Sequence, residues 1–297
     1  MTTRTCYVAF PTVSGLTLAG RLCIPQGAQQ APAVLICHGS DGVDGRGDFY
    51  SGALNGIGCV TLEVDMWSAR GTARGAAARP RTPLETLDDA FSAKAFLAAQ
   101  PEVDPNRIGI MGFSWGGVVT LLSATKDAVS RHDATSFRAH VANYPVVWAY
   151  DVVPGLSLNN PTGAPILIQC GDADAYDDPD GLNQLLARLP QETRRLIQAV
   201  TYPGAGHGFD RDLPAQTIND PFAHKGQGGP VLMQFDPVAA KSAQLAAVAF
   251  FSLILRPPSG DNNDRQTVPR RRLNDRPAGQ AKDRPPAGRR PKRGKAD

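Results

Sequence analysis

Short, continuous apolar runs recur along the first 255 residues of the chain. They occupy residues 32–37 (PAVLIC), 58–64 (GCVTLEV), 107–111, 164–170 (APILIQC) and 196–202. Runs of this length are typical of strands buried on both faces of a sheet. Residues 7–25 differ, because two strand-like segments flank the turn Val13-Ser14-Gly15, and this pattern predicts an N-terminal β-hairpin.

Helical patterns alternate with these runs. At residues 82–98, Thr82 is a candidate N-cap, Pro83 occupies the first turn and Glu85 completes a capping box. Apolar residues follow at three- and four-residue steps: Leu84, Leu87, Phe91, Ala95 and Ala98. Two further helices are predicted at 117–124 and 239–255. Strand and helix in alternation predict an α/β fold with a mostly parallel central sheet and helices on both faces.

The pattern stops near residue 256, and the charge changes with it. Residues from Arg256 onward hold 13 of the 31 Lys and Arg residues and 5 of the 28 Asp and Glu residues, so the tail carries +8 and the body −5. The tail has almost no aliphatic or aromatic residues, so it cannot bury enough apolar area to offset the entropy of ordering. We therefore predict one domain at 1–256 and a disordered basic tail at 257–297.

Composition restricts the expected cellular location and partners of the protein. The N-terminus lacks the basic start and apolar core of a secretory signal. The five cysteines are scattered through apolar runs, as reduced thiols are. The apolar stretch at 242–255 is shorter than a bilayer requires. These features predict a cytoplasmic protein, a monomer or homodimer, that has no membrane segment and needs no cofactor or metal. The basic tail could attract nucleic acid by its charge. It has no interleaved aromatic residues, however, so nucleic acid is not expected as a partner.

One segment carries a chemical motif. Residues Gly112, Ser114 and Gly116 in GFSWG follow a predicted buried strand and precede a helix, which is the context of a nucleophile elbow. Glycines on both sides let the serine occupy a tight, strained turn, while the helix N-terminus directs backbone N–H groups at the same place. Ser114 is therefore the candidate nucleophile, although a structural turn would also fit the pattern.

A serine hydroxyl needs a base and an acid that orients the base. His207 in TYPGAGHGF follows a strand end and lies in a glycine-rich loop, whereas His132, His140 and His224 lack such a setting. Either Asp172 or Asp174 after APILIQC could be the acid, and Asp174 is preferred because it stands just beyond the strand.

An oxyanion requires two N–H donors. The amide of Trp115, directly after the nucleophile, is one candidate, and the amide of Ser40 in the loop HGSDG is the other. His38 is expected to shape that loop by hydrogen bonding. The Asp cluster at 172–180 does not match an EF-hand, because Tyr176 and Ala187 would fall at ligand positions.

These segments together resemble a known family. The chain is similar to the dienelactone hydrolase-type α/β-hydrolases over nearly all of residues 7–255, as a variant with a serine nucleophile. The segments that carry the resemblance are HGSDG, EVDMWSARG, DPNRIGIMGFSWGG, VANYP, CGDAD and YPGAGHGF. The resemblance implies an α/β-hydrolase fold and hydrolysis of an ester or lactone.

The chain departs from the namesake enzymes at two positions. Those enzymes have a cysteine at the elbow where this chain has Ser114, and a loop glutamate where this chain has Gly39. A serine suits ordinary ester hydrolysis. Two arginines of the namesake enzymes hold the substrate carboxylate, and Arg70 and Arg211 occupy similar positions here, although ion pairs with Asp65 or Asp210 would explain them equally.

The sequence therefore predicts a serine hydrolase that cleaves a small carboxylic ester or lactone through an acyl-enzyme intermediate. An acyl-peptide or oligopeptide hydrolase, and an inactive hydrolase fold with a nucleic-acid-binding tail, are the alternatives. The turn-rich segment 212–230 is predicted to flank the substrate pocket together with Tyr144 and Trp148, since long loops often cover binding sites.

Overall fold

The computed structural model describes residues 2–72 and 79–257. All but the first residue of the predicted tail at 257–297 lies outside the described residues. In the described parts the strands are β1 (Thr3–Pro11), β2 (Thr17–Pro25), β3 (Ala31–Cys37), β4 (Val60–Asp65), β5 (Val103–Phe113), β6 (His140–Asn143), β7 (Ile166–Gly171), β8 (Ile197–Tyr202), β9 (Gln216–Asp220) and β10 (Gly229–Met233). The helices are α1 (Gly45–Gly56), α2 (Leu87–Ala98), α3 (Trp115–Leu122), α4 (Lys126–Arg131), α5 (Gly181–Arg188), α6 (Gln191–Arg194), the short irregular turn α7 (Ala223–Gly226) and α8 (Pro237–Ile254). Short 3₁₀ turns occupy Ser68–Arg70, Pro83–Thr86 and Val147–Ala149.

The first eight strands form one sheet in the order β1-β2-β4-β3-β5-β6-β7-β8. Strands β3 to β8 run parallel to one another, while β2 is antiparallel to both β1 and β4. The carboxyl ends of the parallel strands consequently meet at one edge of the sheet. This topology confirms the predicted mostly parallel sheet and the N-terminal hairpin.

Apolar side chains cover the sheet on both faces, and strand β3 shows why its sequence is continuously apolar. Ala33, Leu35 and Cys37 point into a cluster shared with α2 and α3. Val34 and Ile36 point into a second cluster, which is shared with α1 and α8. Each fully buried aliphatic side chain of this kind contributes about 1.5–3 kcal/mol relative to exposure, so both faces favour the same strand register.

The predicted helix at residue 82 begins with a different geometry. Thr82 and Glu85 do form the capping box, but residues Pro83–Thr86 make a 3₁₀ turn and the α-helix starts at Leu87. The predicted helix exists, therefore, with its first turn wound more tightly.

Several elements escaped prediction for physical reasons. Helix α1 contains four glycines, which disfavour helix; a Cβ at Gly47 would lie 1.8 Å from a carboxylate oxygen of Glu63, so close packing on β4 requires glycine there. Strand β6 is only four residues long. Strands β9 and β10 pair as a separate antiparallel ribbon within and beyond the segment predicted as a loop.

Helix α8 is, among the described helices, the one long and apolar enough to cross a bilayer by length and composition. Its buried residues include Ala243, Ala247 and Phe251, which pack in the second cluster against the sheet. The helix therefore packs as a core helix of the α/β domain. All five cysteines are free thiols, and four of them are buried, as predicted.

Candidate active site

Ser114 lies at a sharp turn between β5 and α3. Its backbone has φ 50° and ψ −110°, a region that non-glycine residues rarely occupy. A Cβ at Gly112 would lie 2.1 Å from the carbonyl oxygen of Gly116, and one at Gly116 would lie 2.2 Å from that of Cys37. Both glycines are therefore required by the close approach of strand, turn and helix.

Three side chains from three loops form a continuous hydrogen-bonded chain at the carboxyl edge of the sheet. The Ser114 Oγ lies 2.9 Å from His207 Nε2, and His207 Nδ1 lies 2.8 Å from Asp174 Oδ2. Since a carboxylate can only accept, Nδ1 donates to Asp174, and the lone pair of Nε2 faces the serine hydroxyl. This arrangement can remove a proton from Ser114.

The His207 ring is enclosed by aromatic side chains. The Tyr176 ring lies 4.2 Å from it and the Tyr144 ring 4.9 Å, measured between centroids. Asp174 is held by the Tyr176 amide, which donates to its second oxygen at 2.9 Å. Asp172, the alternative acid, instead accepts a hydrogen bond from the Gly204 amide at 2.6 Å. The structure therefore brings Asp174, and not Asp172, to the imidazole.

The loop after β3 runs directly beside Ser114. A Cβ at Gly39 would lie 3.6 Å from the Ser114 Cβ, so this is the position where a longer side chain would meet the serine. The Trp67 indole N–H donates to the Ser40 carbonyl at 3.0 Å, and the Arg79 guanidinium donates to the Ser40 hydroxyl. These bonds fix the loop that carries the candidate Ser40 donor.

His38 organises the same loop. Its Nδ1 donates to the Gly39 carbonyl at 2.7 Å, and its Nε2 accepts from the Met66 amide at 2.9 Å. Burial lowers the pKa of His38 to about 4, so the ring is neutral and can both donate and accept. The contacts match the loop-shaping part expected of this residue.

Two cavities open at Ser114. The larger, about 410 Å³, is lined by Trp115, Val118, Trp148 and other mostly apolar residues. The smaller, about 180 Å³, is lined by His207 and by polar residues that include Arg46 and Asp220. Segment 212–230 lines both cavities, as predicted, through residues on and just after β9.

Trp148 is placed in the larger cavity by a partly buried carboxylate. Asp177 accepts from the amides of Val147 at 3.0 Å and Trp148 at 2.7 Å. Burial, together with the nearby charge of Asp174, raises the pKa of Asp177 to about 7. Val146 just before has φ 56°, which is unusual for a β-branched residue, so strained backbone borders the cavity as well as forming the elbow.

The comparison with known protein families identifies the family of this chain. The model of the dienelactone hydrolase family matches residues 18–255. The chain belongs to the dienelactone hydrolase family. Members of this family are hydrolases, and the chain shares their overall architecture.

The individual relatives share low sequence identity with this chain. The chain is 27% identical over 217 residues to a Bradyrhizobium protein described as a probable 2-oxo-3-(5-oxofuran-2-ylidene)propanoate lactonase, which covers 69% of this chain and 79% of that protein. The dienelactone hydrolase of Anabaena variabilis superposes with TM-score 0.57 at 20% identity, covering 86% of this chain and all of the other. Esterase 2 of Thermogutta terrifontis gives TM-score 0.59 at 15% identity, covering 86% and 96%. These structures show the α/β-hydrolase fold.

The two arginines suggested by the family resemblance do not line either cavity. Arg70 donates to both carboxylate oxygens of Asp89, at 2.7 and 3.0 Å, and to the Met66 carbonyl. Arg211 pairs with Asp41 at 2.8 Å and lies 3.5 Å from Asp44. The prediction of a substrate-binding role is wrong for Arg70, because Asp89 and backbone carbonyls occupy its guanidinium group. For Arg211 that role stays a prediction, since its buried Nε and Nη1 form no hydrogen bond with the described residues despite the nearby carboxylates. The carboxylate neighbours of both arginines differ from Asp65 and Asp210.

Tyr144 was also predicted to face the substrate, and this is wrong. Its side chain is fully buried, and its hydroxyl accepts from Arg46 at 3.0 Å and donates to Asp210. The ring supports His207 from below, so Tyr144 contacts the histidine and not the cavity. Trp148, by contrast, does line the larger cavity.

A buried polar network beneath the site was missed by sequence reasoning. Asp210 accepts hydrogen bonds from Tyr50 at 2.8 Å and Asn143 at 3.2 Å as well as from Tyr144. Burial raises the pKa of Asp210, although Arg46 opposes the rise. The available signal was the position of Asp210, three residues after His207. A carboxylate so close to a functional loop needs hydrogen-bond donors or a cation beside it.

Arg79 was missed as well. It lines the larger cavity, pairs with Asp220 at 3.2 Å and stacks over the ring of Phe222, 4.7 Å from its centroid. It thus ties segment 212–230 to the loop that carries Ser40. Among the described residues, no cluster of His, Cys, Asp or Glu is arranged to hold a metal ion.

Proposed function

We propose that this protein is a serine hydrolase that cleaves a small carboxylic ester or lactone through an acyl-enzyme intermediate. The hydrogen-bonded chain from Ser114 through His207 to Asp174 is the observation that supports the proposal most strongly. The strained backbone of Ser114 and the adjoining cavities support it further.

In the first half-reaction, Ser114 Oγ attacks the carbonyl carbon while His207 Nε2 takes the hydroxyl proton. Asp174 holds the imidazole in the required tautomer and stabilises the imidazolium that forms. The resulting oxyanion would accept hydrogen bonds from the amides of Trp115 and Ser40. The tetrahedral intermediate then collapses, the ester C–O bond breaks, and His207 gives its proton to the leaving alcohol.

In the second half-reaction, water attacks the acyl-enzyme. His207 takes a proton from that water and returns it to Ser114 Oγ as the acid leaves. No external oxidant, reductant or cofactor enters this cycle. The cavity volumes favour small esters over peptides, since neither cavity exceeds about 410 Å³.

Loss of the hydroxyl at Ser114 tests this function. Ser114→Ala should lower kcat for a p-nitrophenyl ester by about 10⁴-fold or more, because Ser114, His207 and Asp174 act as a unit that fails without its nucleophile. Ser130→Ala, an exposed serine on α4, is the matched control and should retain full turnover. Equal hydrolysis by both variants would show that Ser114 is not the nucleophile.

A further inference from the structure

The two cavities that meet at Ser114 differ in chemical character. Ser40, Ser114 and Tyr176 line both of them. The larger cavity is otherwise walled mainly by apolar groups. Of its two arginines, Arg79 is already paired with Asp220 and Arg81 is exposed to solvent. Any substrate bound across Ser114 must place one part in each cavity.

Charged and polar side chains line the smaller cavity together with the apolar side chains of Ile218 and Met233. Arg46, Asp41 and Asp220 contribute charges, and Asn219 contributes an amide. Arg46 is only 4% exposed and donates to Asp44 and Tyr144. By volume this cavity could accept a single ring, but an apolar ring there would take the exposed Asn219 amide and the partly exposed Asp41 carboxylate out of water without giving them new hydrogen-bond partners.

The position of His207 distinguishes the two sides. In the mechanism proposed above, His207 must protonate the oxygen of the leaving alcohol, so the alcohol has to lie on the histidine side of the serine. His207 lines the smaller cavity and does not line the larger one. The acyl group must therefore extend the other way, past Trp115 and Val118.

We infer that the preferred substrates are esters of a bulky, apolar acid with a small, polar alcohol. The larger cavity takes the acyl chain or ring, and the smaller one takes the alcohol. This assignment rests on the proposed serine mechanism. It adds the orientation of the ester, with its acyl group and its alcohol on opposite sides of Ser114.

Two isomeric esters test the direction in which the substrate binds across Ser114, because both contain the same atoms. Methyl phenylacetate carries its ring on the acyl side, and benzyl acetate carries the same ring on the alcohol side. We expect kcat/KM to be at least about tenfold higher for methyl phenylacetate, the scale on which apolar pockets discriminate between groups. Rates should be divided by those of alkaline hydrolysis, which removes differences in intrinsic reactivity.

A second pair tests the polarity of the smaller cavity. 2-Hydroxyethyl phenylacetate and n-propyl phenylacetate differ by a hydroxyl in place of a methyl group at the end of the alcohol. After the same normalisation, the hydroxyethyl ester should be preferred by about tenfold, because its hydroxyl can bond to the polar lining. Preference for the propyl ester would overturn the polar part of the assignment.

Adjacent valines supply a matched pair of variants. Val153 lines the larger cavity, whereas Val152 is 60% exposed and does not. Val153→Phe should lower the ratio of kcat/KM for methyl phenylacetate to that for methyl acetate by about tenfold, because the added ring fills space that the larger acyl group needs. Val152→Phe should change neither ester.

The outcomes separate this inference from the function on which it rests. Turnover that depends on Ser114 but favours benzyl acetate, or treats the isomers alike, would overturn the direction while leaving the serine mechanism standing. Hydrolysis that is the same in wild type and Ser114→Ala would overturn the mechanism itself, and the assignment with it.

Discussion

At the scale of single residues, the site depends on charges that are paired inside the protein. Arg46 is buried between Asp44 and Tyr144, and Asp210 is buried among three donors. Such pairs cost desolvation energy, yet removing one partner leaves a buried charge uncompensated. The residues around His207 are therefore coupled, and Tyr144, which bonds to both Arg46 and Asp210, packs against the histidine ring.

Arg70 illustrates the difference between a binding residue and a buried ion pair. Burial raises the pKa of Asp89 to about 6, while the Arg70 guanidinium opposes that rise. Arg70→Ala should therefore lower the free energy of unfolding by about 3 kcal/mol, because the fully buried Asp89 loses its partner. It should leave KM for carboxylate-bearing esters unchanged.

Urea unfolding at neutral pH, together with steady-state kinetics, measures both effects of Arg70→Ala. Arg195→Ala, an exposed arginine, is the control and should change stability by no more than about 0.5 kcal/mol. Unaltered stability combined with a raised KM for acidic esters alone would restore Arg70 as a substrate-binding residue.

At the scale of elements, the carboxyl ends of the strands bring the site together, and hydrogen bonds between loops keep it in shape. His38 joins the loop after β3 to the chain after β4 through Met66. Arg79 joins the same loop to the β9–β10 ribbon through Asp220. The loop that faces Ser114 is thus held from two sides.

The buried His38 predicts a pH dependence of stability. Its pKa is about 4 in the folded state and about 6.5 in an unfolded chain, so the unfolded state binds the proton more readily. The stability that His38 contributes is complete above about pH 6.5 and is lost as the pH falls toward 4. We expect this loss to reach up to about 3 kcal/mol.

The His38→Gln variant isolates that contribution, since glutamine can both donate and accept but does not titrate. Its unfolding free energy, measured by urea titration at several pH values, should fall less steeply than that of wild type between pH 6.5 and 4. His224→Gln, at an exposed position, should follow the wild-type curve. Parallel curves for wild type and His38→Gln would contradict the buried neutral imidazole.

The sequence was most informative about elements with strong local signals. The apolar runs predicted β3, β4, β5, β7 and β8, and the capping box at Thr82 forms in the structure. Strand β6 and helix α1 were not predictable, because the strand is short and the helix contains four glycines, of which Gly47 fits closely against Glu63. Local patterns do not contain such tertiary contacts.

At the scale of the whole molecule, parallel strand order explains why distant residues meet. Ser114 follows β5, Asp174 follows β7 and His207 follows β8, so all three lie at one edge of the sheet. Their approximate placement could be predicted from strand ends alone. The ion-pair partners of Arg70 and Arg211 could not be predicted in this way. Each of those pairs connects residues that are 19 or more positions apart and share no sequence motif.

The family and the cavities describe the molecule at different levels of detail. Family membership gives the fold and the class of hydrolase. The unequal cavities, with His207 on only one side of Ser114, supply the direction of substrate binding proposed here.

Covalent capture of the nucleophile tests the central claim most directly. The full-length chain should be treated with a fluorophosphonate, and the modified peptide should be located by mass spectrometry. Our account predicts one adduct per chain, on Ser114, that is absent from Ser114→Ala and present in Ser130→Ala. Labelling of another residue, or equal labelling of wild type and Ser114→Ala, would contradict it.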